Sequence, residues 1–170
     1  MTDGKKNILF VIGVSGTGKS TIGKLLAEKL DLAFYDGDDF HSESNIKKMA
    51  NKNPLTDEDR YDWLLTLNQL AIDNKEKGAV IVCSALKESY RKLLESKIED
   101  LVIWVSLEGS FELLLDRLQK RKGHFMPADL LRSQLDTFEA PTKAIKISIE
   151  PGPEEIVDQI LREYTRTKGY

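Results

Sequence analysis

Ile8-Leu9-Phe10-Val11-Ile12-Gly13-Val14-Ser15-Gly16-Thr17-Gly18-Lys19-Ser20 is the stretch that decides the fold. Its first five residues are an unbroken apolar run, the pattern of a strand buried on both faces. The remaining eight set two glycines five apart, then Lys and a hydroxyl residue. Glycines at these positions let the backbone curl so that successive N–H groups point inward at a phosphate. Lys19 supplies a point charge for the β- and γ-phosphates, and the Ser20 hydroxyl is a Mg²⁺ ligand. Ile22, Leu25, Leu26 and Leu30 then recur at helical spacing. The loop therefore opens into a helix whose N-terminus favours anions. Gly13, Val14, Ser15, Gly16, Thr17, Gly18, Lys19, Ser20 and Thr21 are expected to hold ATP.

The rest of the chain fits this start. Strand-like runs at Ile8–Gly13, Ala33–Tyr35, Ala79–Ser84, Leu101–Ser106 and Ala144–Ile149 alternate with helical patterns. The helical patterns are Lys19–Leu30, a pair within Glu43–Lys77, Glu88–Ser96, Phe111–Arg121, Leu130–Glu139 and Pro153–Arg166. Such alternation predicts an α/β fold of three layers, a five-stranded parallel sheet with helices on both faces. At 170 residues with no internal repeat, one domain over 1–170 is expected.

The formal net charge of -3 and the absence of a basic stripe argue against nucleic-acid or membrane-surface partners. The single cysteine, Cys83, excludes an internal disulfide and sits in an apolar run, so it is expected to be a core residue. No apolar stretch is long enough to cross a bilayer, and a soluble, cytoplasmic protein is expected.

Ligands of parallel sheets sit at the carboxyl ends of the strands. There the second strand runs into Asp36-Gly37-Asp38-Asp39. Mg²⁺ calls for a carboxylate, and an alcohol acceptor calls for another to orient and deprotonate its hydroxyl. The third strand ends in Cys83-Ser84-Ala85-Leu86 without an Asp, and Glu108 after the fourth is expected to cap the next helix. The metal-holding acid must then come from Asp36 or Asp38. This favours a small-molecule kinase over a mechanical ATPase. The guanine-selecting Asn-Lys-x-Asp pattern is absent, which counts against a GTPase switch.

Further blocks carry a resemblance. They are Asp36-Gly37-Asp38-Asp39-Phe40-His41, Asn45-Ile46-x-Lys48-Met49, and Pro54-Leu55-Thr56-Asp57-x-Asp59-Arg60-x-x-Trp63-Leu64. Cys83-Ser84-Ala85-Leu86-Lys87-x-x-Tyr90-Arg91, Arg121-Lys122-Gly123-His124-Phe125-Met126, Ser133-Gln134-Leu135 and Phe138-Glu139-Ala140-Pro141 complete the set. With the phosphate loop, they resemble the small, phosphate-loop type of gluconokinase from about residue 8 to 165. Ser42-Glu43 and Phe40 depart from the usual pattern, and neither removes a group needed for phosphate or metal chemistry.

The resemblance implies the fold of the shikimate and nucleoside-monophosphate kinases. It also implies ATP-dependent phosphorylation of D-gluconate at its 6-hydroxyl, and a homodimer. By analogy with shikimate kinases, Asp38 is the base and Asp36 holds a water on Mg²⁺. The same layout points Arg60 at the substrate carboxylate, with Lys48 assisting. His41, Ser84, Lys87, His124 and Gln134 are candidate substrate contacts. Each also has a plain reading, as a helix cap for Ser84 and as surface side chains for His41, Lys87 and His124. A mobile lid is expected over about 121–135, bringing Arg121 against the transferring phosphoryl group, with Arg117 one turn earlier near the adenine. Trp63 and Trp104 are expected to be core or wall residues. Other small-metabolite kinases of this fold, acting on shikimate or a nucleoside monophosphate, are the nearest alternative. A non-catalytic nucleotide switch and a nucleic-acid-dependent ATPase stand further off.

Overall fold

The computed structural model describes residues 6–120 and 128–167. Five parallel strands, β1 (Ile8–Ile12), β2 (Ala33–Asp36), β3 (Ala79–Cys83), β4 (Val102–Glu108) and β5 (Ile145–Ser148), form one sheet in the order β2-β3-β1-β4-β5. Seven α-helices are described: α1 (Lys19–Leu30), α2 (Glu43–Ala50), α3 (Asp57–Asp73), α4 (Glu88–Leu94), α5 (Phe111–Gln119), α6 (Ala128–Thr137) and α7 (Pro153–Thr167). None is long and apolar enough to cross a membrane.

Side chains alternate across a strand, so β1 feeds two cores. Leu9 and Val11 join Ile22 and Leu26 of α1 and Val157 and Ile160 of α7 on one face. Ile8, Phe10 and Ile12 join Trp63, Leu64 and Leu67 of α3 and Leu94 beyond them on the other. All five residues of β1 are fully buried, as an apolar run in a parallel sheet requires. Phe10 stacks on Trp104 with centroids 4.8 Å apart, which makes Trp104 a core residue.

Register then fixes the site. Ile12 pairs with Cys83 on one side and Ser106 on the other, and Asp36 pairs with Val82. The phosphate loop, the acidic turn and the Ser84–Lys87 turn therefore leave the sheet at one edge. β4 runs two residues past the expected Ser106, because Leu107 and Glu108 pair with Ile147 and Ser148 of β5. Glu108 is thus a strand residue and not a helix cap. Ser110 caps α5, its Oγ accepting from the Leu113 N–H at 3.2 Å. The C-terminal ends of α4, α5 and α6 fall about two residues short of the sequence expectation. In α6 the Glu139 N–H turns away to Leu86 O at 2.7 Å, which ends the helix. Residues 121–127 of the expected lid lie outside the described residues, and its remainder, 128–135, lies wholly within α6.

α1 lies unusually close to the sheet at Gly23. A Cβ there would overlap Val82 Cγ1 and come within 2.8 Å of Phe34 Cε1. Helix propensity alone favours Ala over Gly by about 1 kcal/mol. Overpacking costs about 1–3 kcal/mol and here sets the sign. Gly23→Ala should therefore lower the melting temperature by several degrees in a thermal melt, whereas an unchanged or raised value would mean that α1 does not pack this tightly.

Candidate active site

The phosphate loop is held open from outside. Gly16 and Gly18 adopt φ of 90° and 82°, backbone that a residue with a Cβ adopts only under strain. Gly13 is fixed by space, since a Cβ would stand 2.8 Å from Thr17 Oγ1 and 2.9 Å from Leu107 O. Thr17 Oγ1 donates to Val14 O at 2.9 Å. Lys19 Nζ donates to Gly13 O at 2.9 Å and Val14 O at 3.2 Å, so the cation lies along the loop. Gly18 caps α1 without a side-chain hydrogen bond, and no acid sits in the first turn formed by Lys19, Ser20 and Thr21. That helix N-terminus keeps its positive field for an anion.

The acidic turn lies against this loop. Ser20 Oγ donates to Asp36 Oδ2 at 2.9 Å, and the Asp38 N–H donates to Asp36 Oδ1 at 3.0 Å. One hydroxyl beside one carboxylate is a hard-oxygen donor set. It fits Mg²⁺, which keeps several waters and takes the rest of its shell from phosphate oxygens. Gly37 has no room for a side chain, as a Cβ would meet Val82 O at 2.8 Å and Cys83 Cβ at 2.9 Å. Trp63 Nε1 donates to Gly37 O at 2.7 Å, tying the turn to α3.

Asp38 lies on the exposed side of this turn, beside His41. Partial desolvation raises its carboxyl above the usual aspartate value, and the charge of Asp36 adds to this, while Lys19 and His41 pull it down. Its side chain is still 74% exposed.

His41 is buried rather than surface-lying, its side chain 4% exposed. It stacks on Trp63 at 4.3 Å between centroids. Its Nδ1 lies 3.3 Å from Asn45 Nδ2, an arrangement that assigns the ring proton to Nε2. Burial lowers its pKa, opposed by Asp38 and reinforced by Arg60, so the ring is neutral at neutral pH. Nε2 stands 3.9 Å from Asp38 Oδ1, too far for a direct hydrogen bond.

Beyond His41 lies a cationic wall. Arg60 Nη1 donates to Leu55 O at 2.8 Å and Tyr90 Oη at 3.2 Å. Its guanidinium sits 5.5 Å from the Tyr90 ring centroid, as does the Lys87 ammonium. Lys87 pairs with Asp57 at 3.1 Å, and the Tyr90 hydroxyl donates to the same carboxylate. Tyr90 and Asp57 are thus site residues that sequence reasoning passed over. The available signal was helical spacing: Asp57 stands three residues before Arg60, and Lys87 three before Tyr90.

Other expected contacts lie elsewhere. Lys48 pairs with Asp59 at 2.7 Å. Asp59 also completes the capping box with Thr56, and these bonds, Lys48 first, hold its carboxyl at about 2. The Lys48 charge is therefore already matched. Arg117 Nη2 donates to Ile149 O at 2.6 Å, at the carboxyl end of β5. Gln134 Oε1 accepts from the Ser15 N–H at 2.9 Å, which puts it on the phosphate loop. Ser84 is half-buried just past β3 and is not a helix cap, since the cap position of α4 is Lys87. Arg121 and His124 lie outside the described residues. Cys83 is buried and its thiol is pushed up to about 12, mainly by that burial, so it is no nucleophile.

The shikimate kinase family matches residues 15–165. A probable gluconokinase of Mus musculus is 43% identical over 91% of this chain and 95% of its own length. The gluconokinase of Gluconobacter oxydans strain 621H is also 43% identical, over 94% of this chain and 92% of its own. Among solved structures, a gluconokinase from Sinorhizobium meliloti 1021 superposes with a TM-score of 0.88 at 37% identity, covering 95% of this chain and 93% of its own. Shikimate kinase from Aquifex aeolicus, with a TM-score of 0.69 and 22% identity over 94% of this chain and 97% of its own, shares the fold. The phosphate loop, the acidic turn and the cationic wall thus stand in a chain that belongs to the gluconokinases, within the shikimate kinase family.

Proposed function

We infer that this protein transfers the γ-phosphoryl group of ATP to the 6-hydroxyl of D-gluconate, giving 6-phospho-D-gluconate and ADP. One observation carries the reading: the acidic turn stands between the phosphate loop and the Arg60–Lys87 wall in one line of contacts. Ser20 Oγ donates to Asp36, Trp63 Nε1 donates to Gly37 O, and α3, which carries Trp63, also carries Arg60, which meets Lys87 at Tyr90. A polyol acid fits such a line, with its alcohol end at Asp38 and its carboxylate at the Arg60–Lys87 wall.

In this reading Asp38 accepts the proton of the 6-hydroxyl as that oxygen bonds to the γ-phosphorus and the bond to the β-phosphate oxygen breaks. Lys19 leaves the loop carbonyls and neutralises charge on the phosphates. Neutral His41 donates from Nε2 to a substrate hydroxyl beside Asp38. Ser20 and Asp36 would hold Mg²⁺, which would supply positive charge against the phosphates. Trp63 fixes both His41 and the acidic turn, so the base does not drift from the acceptor.

The direct test is ADP release from Mg·ATP with D-gluconate, beside shikimate and a set of nucleoside monophosphates. Stimulation by gluconate alone is expected, and stimulation by another acceptor would reassign the acceptor wall. Asp38→Asn should lower kcat by about 10²–10⁴ with ATP affinity nearly unchanged, and near-normal kcat would remove Asp38 from the base role. Arg60→Ala should raise the KM for gluconate about ten-fold or more, the weight of a charge-assisted hydrogen bond, with the KM for ATP unmoved. Because the Asp38 carboxyl is raised, it takes up its proton at a higher pH than an ordinary aspartate. The acid limb of kcat/KM for gluconate should accordingly lie above the usual aspartate value of 3.8, and a limb at or below that value would contradict the assignment.

A further inference from the structure

The contact between Ser15 and Gln134 joins residues 119 apart in sequence. It is the one bond described here from the phosphate-loop backbone N–H groups to a side chain of another element. Around it, the loop satisfies its own carbonyls: Lys19 takes Gly13 O and Val14 O, and Thr17 takes Val14 O. The half-buried Ser15 N–H belongs to the loop whose backbone donors the phosphate-loop reading assigns to phosphate, and leaving such a donor unpaired is costly. Gln134 reaches it from α6, whose position is fixed on both sides of the residue. Leu131 is fully buried before it. After it, Glu139 ties the chain to the β3–α4 turn through Leu86 O, the Glu88 N–H and buried Arg91.

We propose that Gln134 is a positioning residue that acts as a neutral placeholder for phosphate on the phosphate loop whenever no nucleotide is bound. Its amide oxygen holds the Ser15 N–H until nucleotide phosphate displaces it, and returns to help ADP leave. The side-chain chemistry suits this task. An amide oxygen accepts as a phosphate oxygen does, yet brings no negative charge to a loop whose field attracts anions. A glutamate here would hold the N–H more firmly and repel the incoming nucleotide.

The proposal rests only on the nucleotide half of the proposed function and needs no acceptor. It is tested with Mg·ADP binding by calorimetry on the parent chain, Gln134→Met and Gln134→Glu. Methionine keeps the length and packing and removes the acceptor. It should tighten Mg·ADP about five-fold and slow its dissociation, the equilibrium weight of one ordinary hydrogen bond. Glutamate should weaken Mg·ADP relative to the parent. A purely structural role would weaken both variants, so tightening by Met is the discriminating result. Unchanged or weaker binding by Gln134→Met, with the parent binding normally, overturns the placeholder alone. No binding by the parent would overturn the phosphate-loop reading and the placeholder with it. As a check independent of affinity, the Ser15 amide should exchange slowly with solvent in the ligand-free parent and faster in Gln134→Met, and equal rates overturn the proposal.

Discussion

A loop that must offer its N–H groups to an anion cannot use them to hold itself together. This constraint governs the rest of the site. The phosphate loop is therefore held by carbonyl bonds and by close packing from outside. Gly13 is wedged between Thr17 and the carbonyl of Leu107, so β4 has to reach at least that far along the edge. β4 does so because Leu107 and Glu108 are paired by β5. An edge strand far along the chain thus fixes the geometry of a loop near its start. The first turn of α1 carries no acid, which keeps the loop's field available to a ligand.

The acidic turn obeys a second form of the same constraint. Two carboxylates near one another repel, and burial makes the repulsion worse. The turn tolerates this because each acid has a different environment. Asp36 accepts from Ser20 and from the Asp38 N–H, whereas Asp38 lies on the exposed side of the turn, beside His41. The backbone between them has no freedom to relax, since Gly37 is packed on β3 and bonded to Trp63. Under the proposed function, separate environments for two like charges would let one acid hold a metal-bound water while the other exchanges a proton.

The strands and the phosphate loop were legible because buried parallel strands write themselves as apolar runs and the loop's glycines have no substitute. What failed were features set across long distances. Glu108 looked like a cap because nothing local announces that β5 extends β4. His41 looked able to lie on the surface, since its burial depends on Trp63 in another element. Tyr90 was quoted within a motif but given no role, because its partners Asp57 and Arg60 belong to α3, 33 and 30 residues earlier. Gln134 was read toward a hydroxyl, and no periodicity could have revealed its reach to Ser15. The expected roles of Arg121 and His124 fall outside the described residues.

The two halves of the cleft differ in how they are encoded, and that bears on substrate choice. The donor side comes from consecutive residues, 13–21, so any chain with this loop and fold keeps it. A shared fold at 22% identity therefore says little about the acceptor. The acceptor side is assembled from β2, α3, the β3–α4 turn and α4, and its charges can be balanced group by group. Lys48 is matched by Asp59. His41 is held neutral by its burial. Arg60 and Lys87 share Tyr90, and Lys87 pairs with the carboxylate of Asp57. Among the described residues Arg60 makes no ion pair, which leaves one positive charge of the wall in excess. A neutral polyol would leave that excess in place, whereas a polyol acid closes it. Under the proposed function, selection of a sugar acid over a sugar alcohol follows from this charge balance, and the hydroxyl-binding groups nearer Asp38 then set which carbon is brought to the phosphoryl group.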